Sequence, residues 1–182
     1  MEPASHLGYS APAATKRGLI MLVDGLHHAA TLTNDMDALH ALHRSVFDAR
    51  ITLDREEFPG ARLSIIEFGP GAELNVFQIE GNTQAGRQRP MFGRGRIDHI
   101  GLRAADLGAF TEIRRRLTTA GASDGFVTDF GPTLSVFFTD PDGLEGEVLV
   151  INPEAEPGVH NKPGTPSARF AVDQGSSQGL VP

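Results

Sequence analysis

The chain has 182 residues, 40% of them hydrophobic, which suits one domain or two small fused modules with a real core. Its net charge of −7 argues against nucleic acid as the main partner, and the absence of cysteine excludes disulfides, thiolate nucleophiles and thiolate metal ligands. No apolar stretch is long enough to span a bilayer or to form the core of a signal peptide, so we expect a cytoplasmic protein with no membrane partner.

Three segments lack the periodicity of helices and strands. Residues 1–18 and 153–182 are rich in proline, glycine and small residues. We expect both to be flexible, because such segments cannot bury enough surface to offset their ordering entropy. Residues 81–95 also lack a period and are predicted to link two halves of the chain, residues 19–80 and 96–152.

The first half is predicted to form a strand, a helix and three further strands. An apolar run predicts the first strand over residues 26–33. Asp35 is a good N-cap for the helix, because a carboxylate there accepts hydrogen bonds from the free amides of the first turn. Four apolar residues then recur at helical spacing, namely Met36, Leu39, Leu42 and Val46. Residues 51–53, 63–68 and 73–79 are rich in strand-forming side chains and complete a βαβββ unit.

The second half predicts the same order of elements. Its first strand is expected over residues 96–103, and Asp106 is the N-cap of its helix. The apolar stripe of this helix is Leu107, Phe110, Ile113 and Leu117. Strands are predicted within 126–130, 134–139 and 145–151, which gives a second βαβββ unit.

The two halves also repeat one another in sequence. His28 and His99 lie 71 residues apart, and each is followed seven residues later by the aspartate that caps its helix. The tripeptides Leu63-Ser64-Ile65 and Leu134-Ser135-Val136 share this offset. A repeat at domain-like spacing indicates two copies of one structural unit.

The turns before the last strands extend the alignment. The first half has Gly69-Pro70-Gly71, and the second has Asp140-Pro141-Asp142-Gly143, which is one residue longer and suits a tight turn. Matching the final glycines of the two turns aligns Asn75 with Glu147.

Paired βαβββ units that each open with a His-x6-Asp segment, the second ending in DPDGxxxE, resemble the vicinal oxygen chelate superfamily. The superfamily includes glyoxalase I, extradiol dioxygenases, methylmalonyl-CoA epimerase, fosfomycin-resistance enzymes and bleomycin-binding proteins, and the resemblance covers about residues 20–152. It implies an α+β fold in which two βαβββ modules form a curved mixed-sheet cup. It also implies one divalent metal ion, Zn, Mn, Ni, Co or Fe, that is chelated by adjacent oxygens of a small-molecule substrate. In this superfamily the modules pair within one chain or across a homodimer.

The resemblance assigns His28, His99 and Glu147 as metal ligands. Strand alternation is consistent with this, because each histidine shares a strand face with a small residue that leaves room for a substrate. Taken alone, His28 would be interpreted as an ordinary strand histidine, and the matching His99 and Glu147 favour the metal. His27 is expected to point to the opposite face and to be structural.

The sequence departs from the family pattern at Asn75, where glyoxalases and epimerases usually carry Glu or Gln as a ligand or base. Asn75 can offer only a weakly binding carbonyl oxygen, and it is a candidate fourth ligand. Glu73 lies two residues away on the same strand face and is a candidate proton-transfer group together with Glu147. The departure argues against a two-base isomerase and favours a three-ligand site, as in dioxygenases and fosfomycin-type transferases.

These residues lead us to expect a metal-dependent lyase or isomerase of the glyoxalase kind, with three alternatives left open. One is an Fe(II)-dependent extradiol-type dioxygenase, although Phe137-Phe138 occupies the region where those enzymes carry an aromatic hydroxyl. Another is a fosfomycin-type transferase, and the third is a non-catalytic bleomycin-type binding protein, for which the acidic balance would suit a cationic ligand. On the first helix, His40 and His43 lie one turn apart and are expected at its polar edge, or as a metal-binding pair.

Overall fold

The computed structural model describes residues 25–86, 89, 93 and 97–170, so the segment predicted to be a flexible N-terminus lies outside the described residues. The first module contains β1 His28–Leu32, α1 Met36–Phe47, β2 Arg50–Phe58, β3 Ala61–Gly69 and β4 Ala72–Ile79. The second contains β5 Ile100–Arg103, α2 Leu107–Thr119, β6 Val127–Asp129, β7 Thr133–Thr139 and β8 Glu145–Ile151, and a 3-10 turn follows at Ala168–Phe170. The predicted α+β fold with two βαβββ modules is confirmed. In the described ranges, neither helix has the length and hydrophobicity needed to cross a membrane.

Each module is a four-stranded mixed sheet with one helix. The strand orders are β1-β4-β3-β2 and β5-β8-β7-β6, and the first strand of each module runs parallel to the last. Both predicted N-caps form: Asp35 Oδ1 accepts a hydrogen bond from the Ala38 amide at 2.9 Å, and Asp106 Oδ1 accepts one from the Ala109 amide at 2.8 Å.

Strand register gives the structural equivalences between the modules. Ala30 lies opposite Asn75 in module 1, and Gly101 lies opposite Glu147 in module 2, so Asn75 and Glu147 occupy equivalent places.

The tripeptide repeat, by contrast, is not a structural equivalence. Ser64 pairs with Val76 and so corresponds to Val136, which pairs with Val148, rather than to Ser135. The offset is 71 residues for the helix caps Asp35 and Asp106 but 72 residues for β3 and β7, so the extra residue of module 2 lies between its helix cap and β7. The expectation of a longer second turn is wrong, because five residues separate the paired strand residues in both turns. A shift of one residue moves a side chain to the other face of a strand.

Each sheet has one face covered by its helix and an opposite face, which we call the open face. In module 1 the helix-covered core consists of Met36, Leu39, Ala49, Ile66 and Val76. Val76 and Asn75 are neighbours on β4, so the side chain of Asn75 lies on the open face, together with that of His28. In module 2 Val148 lies in the core beneath α2, which leaves Glu147 on the open face.

The two modules pack through their helix-bearing sides. Val46, near the end of α1, is buried in the core of module 2, and the rings of Phe47 and Phe138 lie 5.3 Å apart. A small cavity between the modules is lined by Thr31, Leu74, Ile100, Leu102 and Gly146, all of which alternate with open-face residues. The two open faces therefore point away from the contact between the modules.

Asp142 of the DPDG turn joins the modules by hydrogen bonds. Its carboxylate accepts one from Thr33 Oγ1 at 2.5 Å and one from the Asn34 amide at 2.9 Å. Thr33 is 2% exposed and directly follows β1. The link therefore connects the end of the strand that carries His28 to the turn that precedes β8.

The first part of the segment predicted to be a flexible C-terminal tail lies against module 2. The amide of Asp129 donates to the Thr165 carbonyl at 2.8 Å, and the amide of Ser167 donates to the Val127 carbonyl at 3.0 Å. The ring of Phe170 then packs 5.4 Å from that of Phe110 on α2. Residues 153–170 thus add backbone pairing beside β6.

Candidate metal centre

His99 and Glu147 come together on the open face of module 2. His99 Nε2 lies 3.3 Å from Glu147 Oε2, and the two side chains are 29% and 15% exposed. The other ring nitrogen, Nδ1, lies 2.9 Å from a carboxylate oxygen of Asp98. With its proton on Nδ1, donated to Asp98, a neutral His99 directs the lone pair of Nε2 at the Glu147 carboxylate. Two acceptors at this distance repel each other, and a shared proton or a metal cation between them relieves the repulsion.

Asp98 was missed by the sequence reasoning, although its position next to His99 was visible. A carboxylate bonded to the remote nitrogen of an imidazole is the usual partner of a metal-ligating histidine, because it orients the ring and raises its basicity.

The surroundings of this pair leave space for a ligand. Gly101 lies opposite Glu147, and a Cβ at that position would stand 3.6 Å from Glu147 Oε2. The ring of Phe137 lies 6.0 Å from that of His99 and nearly perpendicular to it. Gly101 therefore leaves open space beside Glu147, and the Phe137 ring borders His99.

The open face of module 1 carries the matching half. His28 lies opposite Glu73 in the strand register, and its Nδ1 is 3.0 Å from Nδ1 of His27. The latter atom is also 3.9 Å from a Glu73 oxygen. The expectation that His27 is directed away from His28 is wrong, because β1 begins at His28 and strand alternation does not extend to the residue before it. The exposed ring of His27 instead turns towards its neighbour.

Asn75 carries an unpaired buried atom in this half. Its Oδ1 is buried and accepts no hydrogen bond. An unpaired buried acceptor costs about 1–3 kcal/mol, and a cation or a donor from a ligand would satisfy it. This atom fits the role of a further oxygen ligand or of a substrate contact.

Within residues 25–86 and 97–170, no group of three histidine, aspartate or glutamate side chains lies close enough to hold one ion. The structure brings His99 to Glu147, and it groups His28 with Glu73 on the other module. It does not bring the two halves together in one chain, because the modules pack through their opposite faces.

The two helix histidines are not at a polar edge, and that expectation is wrong. His40 and His43 are each 4% exposed, because this side of α1 packs against β3 of the same module. His40 Nε2 lies 2.7 Å from Ser64 Oγ, and His43 Nδ1 lies 2.8 Å from the Leu39 carbonyl. Burial lowers the pKa of both imidazoles.

The whole fold is similar to solved structures. A glyoxylase/bleomycin resistance protein/dioxygenase domain from Frankia sp. EAN1pec is 15% identical with a TM-score of 0.60, and the match covers 72% of this chain and 95% of that one. A glyoxalase family protein from Enterococcus faecalis is 20% identical with a TM-score of 0.56, over 71% of this chain and 99% of that one. The fosfomycin resistance protein FosX from Listeria monocytogenes, complexed with Mn(II) and sulfate ion, is 15% identical with a TM-score of 0.51. The match covers 74% of this chain and 98% of that one.

No protein-family model matches the sequence, and no curated protein matches it significantly. At these identities the structural matches establish the fold, so the chain has the glyoxalase-like fold of the vicinal oxygen chelate superfamily. The predicted resemblance is confirmed at that level.

Proposed function

We propose that the chain is a divalent-metal-dependent enzyme of glyoxalase-like type, which acts on a small oxygenated metabolite by lyase or isomerase chemistry. The observation that carries the proposal is the 3.3 Å approach of His99 Nε2 to Glu147 Oε2 on an open strand face. One imidazole and one carboxylate that face each other in this way form two thirds of a three-ligand site for Zn, Mn, Ni, Co or Fe. Mn(II) is the first metal to test, because the FosX relative was solved with it.

The third ligand in this proposal is His28 of a second copy of the chain. Two features support a homodimer that brings the open face of module 1 in one copy against that of module 2 in the other. Leu32 and Ile151 lie on the open faces and are 40% and 61% exposed, so contact between these faces would bury one large apolar side chain from each module. The strands β1 and β5 are also sheet edges, each with one side unpaired among the described residues. A two-fold dimer would then contain two equivalent sites.

The chain's own residues define what such a site can do. A bound divalent ion supplies Lewis-acid polarisation of two neighbouring substrate oxygens. Glu147 or Glu73 moves a proton between substrate atoms, since both carboxylates lie on the faces that meet in the dimer. Phe137 excludes water from one side, and Gly101 leaves room for the substrate beside Glu147.

Metal binding separates this proposal from its rival, a metal-free ligand-binding protein of the bleomycin type. We expect the purified protein to take up about one Mn(II) or Zn(II) per chain in a calorimetric titration, and Glu147→Gln to lose most of this uptake. Uptake by the wild-type protein below about a tenth of an equivalent would favour the binding protein.

Mixing of defective chains tests whether the site spans two copies. His28→Ala and Glu147→Gln chains should each fail to bind metal alone. After unfolding and refolding together, half of the dimers are mixed, and each mixed dimer has one intact site. About a quarter of the wild-type metal capacity should therefore return.

The matched control is a mixture of His99→Ala and Glu147→Gln chains. Both defects lie in the same half of the site, so no combination of the two chains contains an intact set of ligands. If the site formed within one chain, neither mixture would recover metal. Circular dichroism of each variant establishes that it is folded.

A further inference from the structure

Arg103 shares the open face of module 2 with the candidate metal ligands. It lies two residues beyond Gly101 on β5 and pairs with Leu149, while Gly101 pairs with Glu147. Side chains two apart on a strand point the same way and are separated by about 6.6 Å. The guanidinium is exposed and belongs to the same surface as His99 and Glu147.

The charge of Arg103 has no counter-ion within the described residues. Most other arginines that the structure describes have a hydrogen-bonding partner: Arg50 with Glu67, Arg55 with Glu57, Arg62 with Asp54, Arg114 with the Gly125 carbonyl, Arg115 and Arg116 with Glu112, and Arg169 with Glu154. Arg103 has no such partner, and it stands near the place where a metal cation is proposed. Two cations close together repel each other, and an anion held between them removes that repulsion.

The space between Arg103 and the metal half-site is open. Gly101 lies between Arg103 and His99 along the chain, and even an added Cβ there would make only ordinary contacts, 3.6 Å from Glu147 Oε2 and 3.7 Å from Leu149 Cδ2.

We propose that Arg103 is the anion-binding and specificity-determining residue of the site. It binds a carboxylate, phosphonate or phosphate group of a substrate whose two neighbouring oxygens face His99 and Glu147. A planar guanidinium binds two oxygens of such a group at once, which also fixes the orientation of the substrate. The substrate class is thus a small oxyanion that carries vicinal hydroxyl or carbonyl oxygens. The assignment rests on the proposed metal site for the placement of those oxygens.

Three probes with the same vicinal diol test this assignment: glycerol, which is neutral, glycerate and glycerol 3-phosphate. We expect the Mn(II)-loaded protein to bind at least one of the two anions about tenfold or more tightly than glycerol, by calorimetry at fixed ionic strength. Arg103→Gln should reduce this preference about tenfold or more and leave glycerol binding unchanged. Comparison of glycerate with glycerol 3-phosphate identifies which anion the site prefers.

Two controls separate the anion site from general charge effects and from the metal. Arg115→Gln removes the same charge from the exposed surface of α2, where Arg115 pairs with Glu112, and it should leave anion binding unchanged. Arg103→Gln should bind Mn(II) with wild-type stoichiometry. Unchanged anion preference in Arg103→Gln, or an equal loss of anion and glycerol binding, would overturn the assignment.

The affinity of the metal-free protein for inorganic phosphate tests the role of Arg103 independently of metal binding. If the wild-type protein takes up no Mn(II), the proposed metal enzyme fails, and Arg103 is still tested by whether Arg103→Gln weakens phosphate binding relative to Arg115→Gln. If metal uptake is intact and phosphate binding is equal in both variants, the proposed enzyme stands and the role of Arg103 is refuted.

Discussion

Replacing Gly146 by alanine tests the packing that holds β8, the strand that carries Glu147. Gly146 lies opposite Phe138 on the helix-covered side of the module 2 sheet. A Cβ at Gly146 would lie 2.3 Å from Cζ and 2.5 Å from Cε1 of the Phe138 ring. Ordinary van der Waals contact begins at 3.4 Å, so the new methyl group overlaps the ring by about 1 Å.

The Phe138 ring cannot move away without cost. Phe138 is 7% exposed, and its ring packs 5.3 Å from that of Phe47, at the contact between the modules. Overpacking of a well-filled core typically costs about 1–3 kcal/mol. For a protein of this size, each kcal/mol lowers the melting temperature by about 2–4 °C. We therefore expect Gly146→Ala to melt about 2–12 °C below the wild-type protein.

Thermal unfolding followed by circular dichroism measures this difference, with urea unfolding to give the free energy. Gly101→Ala is the matched control, because a Cβ on β5 of the same sheet makes only ordinary contacts, and its stability should change by no more than about 0.5 kcal/mol. The double variant Phe138→Leu, Gly146→Ala should recover part of the loss caused by Gly146→Ala in the Phe138→Leu background. Equal melting temperatures for Gly146→Ala and Gly101→Ala would refute the reasoning.

Three further predictions concern the hydrogen bonds and buried polar groups. Asp142→Ala removes the acceptor for Thr33 Oγ1 and should lower the free energy of unfolding in urea by about 1–3 kcal/mol, while Asp142→Asn, which keeps one acceptor oxygen, should lose less; equal losses would contradict this. His40 and His43 have lowered pKa values, so the unfolded chain binds more protons than the folded chain as the pH falls below 6.5. Stability should then be constant above pH 7 and decline below 6.5 by up to about 1.4 kcal/mol per pH unit for each histidine, and a flat profile down to pH 5.5 would argue against buried neutral imidazoles. Asn75→Leu removes an unpaired buried oxygen, so the metal-free protein should become as stable as the wild type or more stable in the same urea assay, whereas a loss above about 1 kcal/mol would indicate a hidden partner for Oδ1.

The pattern of residues in short segments was sufficient to predict the helix caps and the alignment of the last strands. Asp35 and Asp106 cap their helices as predicted, because capping depends only on a carboxylate that precedes an apolar helical stripe. The alignment of Asn75 with Glu147 was also correct, because the turns before the last strands mark the register directly. The tripeptide repeat misled, since a match of three residues carries no information about which strand face each residue occupies.

The buried histidines show the opposite case. His40 and His43 interrupt the apolar stripe of α1, so the local pattern predicts a polar edge on that side of the helix. Burial of this side depends on contacts between elements distant in the chain, such as His40 with Ser64 of β3 and the ring of His43 with Phe68, which are not visible in local periodicity.

The sequence by itself determined that the protein contains two βαβββ units and that His28 and His99 open equivalent strands, because strand alternation, helix caps and turn chemistry are properties of short segments. The family resemblance also predicted that His99 and Glu147 meet, and the structure brings the two side chains within 3.3 Å. Only the tertiary structure decided that the two units pack through their helix-bearing sides. That packing directs the face with His28 and the face with His99 away from each other, because a residue buried between modules and a residue free to meet a second copy have the same local sequence pattern.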